Sequence, residues 1–189
     1  LGTPVIMDAM SRNGHFEEAY SMLLREEIRS WLYPITVGAT TIWERWEAIQ
    51  PDGTPQTGGI EGHAEGSEPS MISFNHYAYG AVIDWVYRNV LGLTSLAPGY
   101  HQVSISPRPT KSIDFAKGSI ETGYGKYAID WKVENHKLTA KVTVPFGVEA
   151  KLNLPVTDES TILVDGDAKL NGEVLTHGVY DIQVSHAAV

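Results

Sequence analysis

The sequence predicts an α+β chain of two units, a helical unit over residues 1–96 and an antiparallel β-sandwich over 97–189. Three observations carry this. Apolar residues recur every three or four positions before Gly92 and every second position after Pro98. Charge changes in the same region: every lysine lies at position 111 or later, and residues 1–96 hold twelve acids against five arginines, whereas 97–189 hold eleven acids against nine bases. Four of the five tryptophans also precede residue 97.

In the first unit, Thr3-Pro4 reads as an N-cap and first helical residue, with Asn13-Gly14 as the stop. From Phe16, Ala19/Tyr20, Leu23/Leu24, Ile28 and Trp31/Leu32 mark one apolar face. They predict an amphipathic helix running to Tyr33, where Pro34 ends it. Glu17 and Glu18 sit near its positive end. A third helix is expected from about Asn75 to Leu91 on Ala78, Ala81/Val82, Trp85/Val86 and Asn89/Val90, with Gly92 as its C-terminal stop.

In the second unit, "YHQVSISP", "KYAIDWKVE", "KLTAKVTVPF", "EAKLNLPV", "TILVDG" and "GVYDIQVS" alternate or run rich in Val, Ile, Thr and aromatics. Glu134-Asn135-His136, Pro145, Pro155, Asp165-Gly166 and Asn171-Gly172 punctuate them as turns. Short strands at this spacing predict a sandwich.

Composition narrows the function classes. The chain has 189 residues, 42% hydrophobic and 20% charged, which is ordinary for a globular protein with a sizeable core. No apolar run is long enough to span a bilayer, so no membrane partner is expected. Zero cysteines exclude disulfide and thiolate chemistry and leave localisation open. A formal charge of −9 argues against a nucleic-acid partner, which needs a basic stripe. The first residue is not methionine and no signal segment follows, so an excised or processed piece is expected. Three helices also make a poor isolated bundle for so many aromatics. They are read as the last members of a larger array.

"GATTIWERWEAIQPDG" at 38–53 concentrates Trp43, Glu44, Arg45, Trp46 and Glu47. A core does not need the charges and a solvated surface does not need the indoles, whereas a sugar-binding cleft needs both. Taken with "SFNHYAYGAVIDWVYRNVLGL" and "PGYHQVSISPRP", this stretch resembles the C-terminal end of bacterial α-L-rhamnosidases, glycoside hydrolase family 78. The resemblance implies that residues 1–96 are the C-terminal helices of an incomplete (α/α)6-barrel catalytic domain and 97–189 its trailing β-sandwich. It also implies an inverting hydrolase that cleaves terminal α-L-rhamnosyl residues. Its two carboxyl groups would stand roughly 6.5–9.5 Å apart to admit water.

By the same resemblance Glu44 is the general base, His76 a sugar contact, and the general acid lies upstream. The isolated chain is then expected to be inactive. Arg45, always charged, is read as helping to keep a neighbouring carboxylate ionised. Glu47 is read as structural. Trp43 and Trp46 are candidate sugar-stacking rings, one facing the cleft and the other packing, and Asn75 is a candidate contact or helix cap. The partners expected are a rhamnose-containing glycoside or polysaccharide and the upstream remainder of the same enzyme.

No cofactor and no metal are expected. Glu61, His63, Glu65 and Glu68 in "GGIEGHAEGSEPS" offer ligand atoms, but the glycines give no fixed geometry, and a rim over the cleft is the expectation. Two alternatives stay open. One is another (α/α)6-barrel glycosidase or phosphorylase; the other is a non-catalytic carbohydrate-binding or structural module.

Overall fold

The computed structural model describes residues 2–56 and 71–189. Contacts divide the chain into two compact units, Leu1–Ile83 and Asp84–Val189.

The first unit opens with two short helices, α1 (Thr3–Arg12) and α2 (Phe16–Leu23). Gly2 rather than Thr3 is at the N-cap of α1, and Asn13 closes the helix, its Nδ2 donating to the Ala9 carbonyl at 2.8 Å. Met7, Ala19 and Tyr20 are buried.

The helix expected to continue to Tyr33 ends at Leu23. Residues 24–32 bend instead, and Arg29 takes a left-handed backbone, φ 70°, which a helix cannot contain. Tertiary contacts account for this. The Trp31 indole N–H donates to the Tyr79 carbonyl at 2.9 Å, which fixes Trp31 by its place in the unit and not by helical phase. The buried Ser30 hydroxyl accepts the Tyr33 N–H at 3.1 Å and starts a separate single turn, α3 (Tyr33–Thr36).

The last helical run also differs from its expected form. A 3-10 turn covers Ala78–Ala81, α4 covers Val82–Trp85, and a π-helical stretch covers Val86–Leu91. It begins at residue 78, and ahead of it the His76 N–H is given to the Ile42 carbonyl, 2.7 Å away. Within the π stretch the Asn89 side-chain amide donates to the Trp85 carbonyl at 3.1 Å. Gly92 ends the run in left-handed conformation, as expected from its position.

The second unit is two sheets around one core. Strands β1 (Leu93–Ser95), β2 (Gln102–Ile105), β6 (Glu149–Leu152) and β9 (Val174–Leu175) form one sheet, ordered β1-β2-β6-β9. The other holds β3 (Phe115–Thr122), β4 (Gly125–Glu134), β5 (Lys137–Val144), β7 (Thr161–Val164), β8 (Asp167–Lys169) and β10 (Gly178–Ser185), ordered β3-β4-β5-β10-β7-β8. Pairing is antiparallel except between β2 and β6, which run parallel, with β3, β4 and β5 of the other sheet forming the long crossover that a parallel pair needs.

Alternation places Tyr127, Ile129, Trp131 and Val133 of β4 inside, with Leu138, Ala140, Val142 and Val144 of β5. Trp131 stands opposite Ala140, a large ring against a small neighbour, and its Nε1 donates to the Val90 carbonyl at 3.2 Å. The outer face carries a charge row across four strands. Lys117 pairs with Asp130 at 2.7 Å, Asp130 faces Lys141, and Lys141 pairs with Asp181 at 3.2 Å. Opposite charges on cross-strand neighbours keep that face solvated and in register.

Candidate active site

The "GATTIWERWEAIQPDG" stretch is not helical. Residues 41–50 run as bends and a turn, and 48–56 close into a tight loop in which Ile49 bridges Pro55. Asp52 stabilises that loop by accepting the Thr54 N–H at 2.9 Å and hydroxyl at 2.6 Å. Those bonds, the hydroxyl first, hold its carboxyl below the usual carboxylate range.

Residues 41–44 lie alongside 73–76, and backbone hydrogen bonds join them. The Glu44 N–H donates to the Ser73 carbonyl at 2.9 Å, and the Ser73 N–H donates to Glu44 Oε2 at 2.9 Å. The Ile42 carbonyl accepts the His76 N–H at 2.7 Å, and the Thr41 hydroxyl donates to the Phe74 carbonyl. Trp43 closes the pair with an edge-to-face contact on Phe74, 5.5 Å between centroids at 89°. The structure thus brings together the two blocks that hold Glu44 and His76. Glu44 is half-buried.

His76 is also half-buried, and its ring stacks on Tyr77 at 5.6 Å and 4°. Its Nδ1 accepts the Ala78 N–H at 3.4 Å, so Nε2 is the nitrogen with a proton to offer. Asn75 is exposed and its N–H donates to the Ser73 hydroxyl at 3.2 Å, which makes Ser73 the capping side chain of this bend.

The two indoles have different surroundings. Trp43 is buried, at 6% exposure. Trp46 is half-buried, 5.1 Å from Trp31 and 4.9 Å from Tyr79, and its Nε1 has no acceptor among the described residues. With Thr41, Ile42 and Pro34 these rings line a cavity of about 50 Å³. That is far below the roughly 300–1,000 Å³ of a small-molecule pocket, so the cavity is a packing gap.

Glu47 faces a separate polar hollow with Arg29, Gln50, Thr54 and Gln56. Arg29 Nε donates to Glu47 Oε2 at 3.1 Å. This cation was not found from the sequence, because an 18-residue separation outside any helix leaves no periodic signal. No group of three or more potential metal ligands occurs among the described residues. Glu61, His63, Glu65 and Glu68 lie outside the described residues.

Comparison with known proteins identifies the unit that carries this site. Residues 1–90 match the model of the bacterial α-L-rhamnosidase 6-hairpin glycosidase domain, and residues 92–169 that of the bacterial α-L-rhamnosidase C-terminal domain. The chain belongs to the bacterial α-L-rhamnosidase family. An α-L-rhamnosidase of Formosa agariphila is 35% identical over 93% of the chain, and one of Streptomyces avermitilis is 37% identical over 82%.

Among solved structures, the Streptomyces avermitilis α-L-rhamnosidase complexed with L-rhamnose matches 98% of the chain with a TM-score of 0.82 and 33% identity. The Aspergillus terreus α-L-rhamnosidase matches 98% with a TM-score of 0.80 and 27% identity. The chain covers 18% and 19% of those two structures, and 14% to 18% of the length of the curated rhamnosidases it matches. Glu44, Ser73 and His76 all fall in the part matched to the rhamnosidase glycosidase domain.

Proposed function

We propose that the chain is part of an inverting α-L-rhamnosidase that hydrolyses terminal α-L-rhamnosyl bonds, with Glu44 as its general base. In this reading residues 1–96 are the last helices of an (α/α)6-barrel catalytic domain, and 97–189 are the β-sandwich behind it. The observation that carries the reading is the half-buried Glu44 carboxylate, held at Oε2 by the Ser73 N–H, in the segment paired with that of His76. A general base must be fixed within reach of its proton and must keep lone pairs free for it.

The carboxylate takes a proton from water as the water oxygen bonds to the anomeric carbon. The glycosidic bond breaks on the opposite face, and its oxygen receives a proton from a carboxylic acid supplied by the rest of the enzyme. His76, through Nε2, and Asn75 hydrogen-bond sugar hydroxyls. Trp46, half-buried where Trp43 is buried, is the indole that meets the sugar ring, while Trp43 packs. The L-rhamnose complex of the similar Streptomyces avermitilis enzyme supports this substrate class. Val5, Ile35, Met71 and Tyr77 are each more than half exposed, which supports burial against further parts of a barrel. Neither metal nor cofactor has a role in this chemistry.

The stereochemistry tests the proposal. Proton NMR during early hydrolysis of an aryl α-L-rhamnoside by the full-length enzyme should show β-L-rhamnose first. α-L-Rhamnose as the first product would overturn the inverting role. The 189-residue chain by itself should show no turnover, since one carboxylate without its partner cannot complete the displacement.

A further inference from the structure

We propose that Thr41 is a positioning residue for the reaction, its hydroxyl tying the 73–76 segment to the 41–44 segment so that Glu44 and His76 keep a fixed relation. This rests on the reading of Glu44 as general base. Three of the polar contacts between the segments use backbone atoms or the Glu44 carboxylate itself: Glu44 N–H to Ser73, Ser73 N–H to Glu44, and His76 N–H to Ile42. The Thr41 hydroxyl on the Phe74 carbonyl is the contact made by a side chain that has no part in the chemistry. Phe74 directly follows Ser73, whose N–H holds Glu44 Oε2, and lies two residues before His76. Displacing the Phe74 carbonyl therefore moves the donor on the base and the histidine together.

The Thr41 bond adds a side-chain tether to the main-chain contacts between segments far apart in sequence. Thr41 and Phe74 are 33 residues apart, and among the described residues no regular helix or sheet joins their segments. Small displacements matter here, since a misplacement of about 1 Å at a reacting group costs roughly 100-fold in rate. Valine has the shape of threonine without the donor. At this exposed position water can satisfy the Phe74 carbonyl, so the change should act on geometry and leave the fold in place.

The test is steady-state kinetics of the full-length enzyme on an aryl α-L-rhamnoside. Thr41→Val should lower kcat by roughly 10- to 100-fold. KM should stay within about threefold and the melting temperature within about 2 °C. Thr41→Ser, which keeps the hydroxyl, should restore kcat to within about threefold of the unaltered enzyme. Thr41→Val with unchanged kcat, Thr41→Ser as impaired as Thr41→Val, or a rate loss matched by a fall in melting temperature would each overturn the proposal. Glu44→Gln, assayed alongside, separates the two readings. Full activity there removes the base and the tether together, whereas an inactive Glu44→Gln beside a normal Thr41→Val removes the tether alone.

Discussion

Glu44 and Ser73 grip each other twice, N–H of Glu44 to carbonyl of Ser73 and N–H of Ser73 to Oε2 of Glu44, both at 2.9 Å. The second bond occupies one carboxylate oxygen with a backbone donor that no substitution at Ser73 other than proline removes. Charge-assisted bonds of this kind are stronger and more directional than neutral ones. They fix a short acidic side chain without surrounding it by apolar atoms.

Trp43 and Trp46 should separate in their effects. Trp43→Ala removes a buried ring and its edge-to-face contact with Phe74, at a cost of about 3–5 kcal/mol in stability. Trp46→Phe keeps most of the packing against Trp31 and Tyr79, and should raise KM for the rhamnoside with little change in unfolding. Denaturant unfolding and KM measured on both variants of the full-length enzyme check this. The reverse pattern would assign the sugar contact to Trp43.

Gly92 is irreplaceable on steric grounds. Its φ is 85°, and a Cβ there would stand 2.2 Å from the Pro107 nitrogen and 2.4 Å from the Ser106 carbonyl carbon. Gly92→Ala should therefore cost about 4 kcal/mol or more, since backbone cannot yield as a side-chain tip can. Denaturant unfolding measures it, and a loss under about 1 kcal/mol would show that the crossing from the helical run into β1 is looser than described.

Stability of the sandwich should fall in alkali through Tyr127. Its phenol is buried and donates to the Tyr100 carbonyl at 2.8 Å. Burial, with a smaller contribution from Tyr124, pushes its pKa from 10.0 up to about 12. Between those values the native state keeps a proton that the unfolded state has released. The contribution is thus intact below about pH 10 and is lost as pH rises toward 12. Tyr127→Phe should flatten this part of the stability–pH curve and lower stability at neutral pH by about 1 kcal/mol. Equal alkaline slopes for both proteins would remove Tyr127 as the cause.

The sandwich was legible where one face of a strand meets the core and the other meets water, as in β4 and β5. β3 was not. Its inward positions include Gly118, where a Cβ would stand 2.8 Å from Leu91, and its outward positions include the exposed Phe115, so burial alternates where apolar residues do not. In the first unit, Trp31 matches a helical face by spacing but is held by the Tyr79 carbonyl, and the helical period overruns the end of α2 by ten residues. Glu44 and His76 were nominated by motif. Their segments are joined by main-chain bonds between residues 29 to 34 positions apart, and main-chain bonds leave no trace in side-chain pattern.

The most direct measurement is kcat of the full-length Glu44→Gln enzyme on an aryl α-L-rhamnoside, read beside its melting temperature. The amide keeps an oxygen for the Ser73 N–H but cannot take a proton from water. Folding should be nearly unchanged and kcat should fall by roughly 100- to 10,000-fold. A variant that folds normally and turns over at the unaltered rate would contradict the assignment.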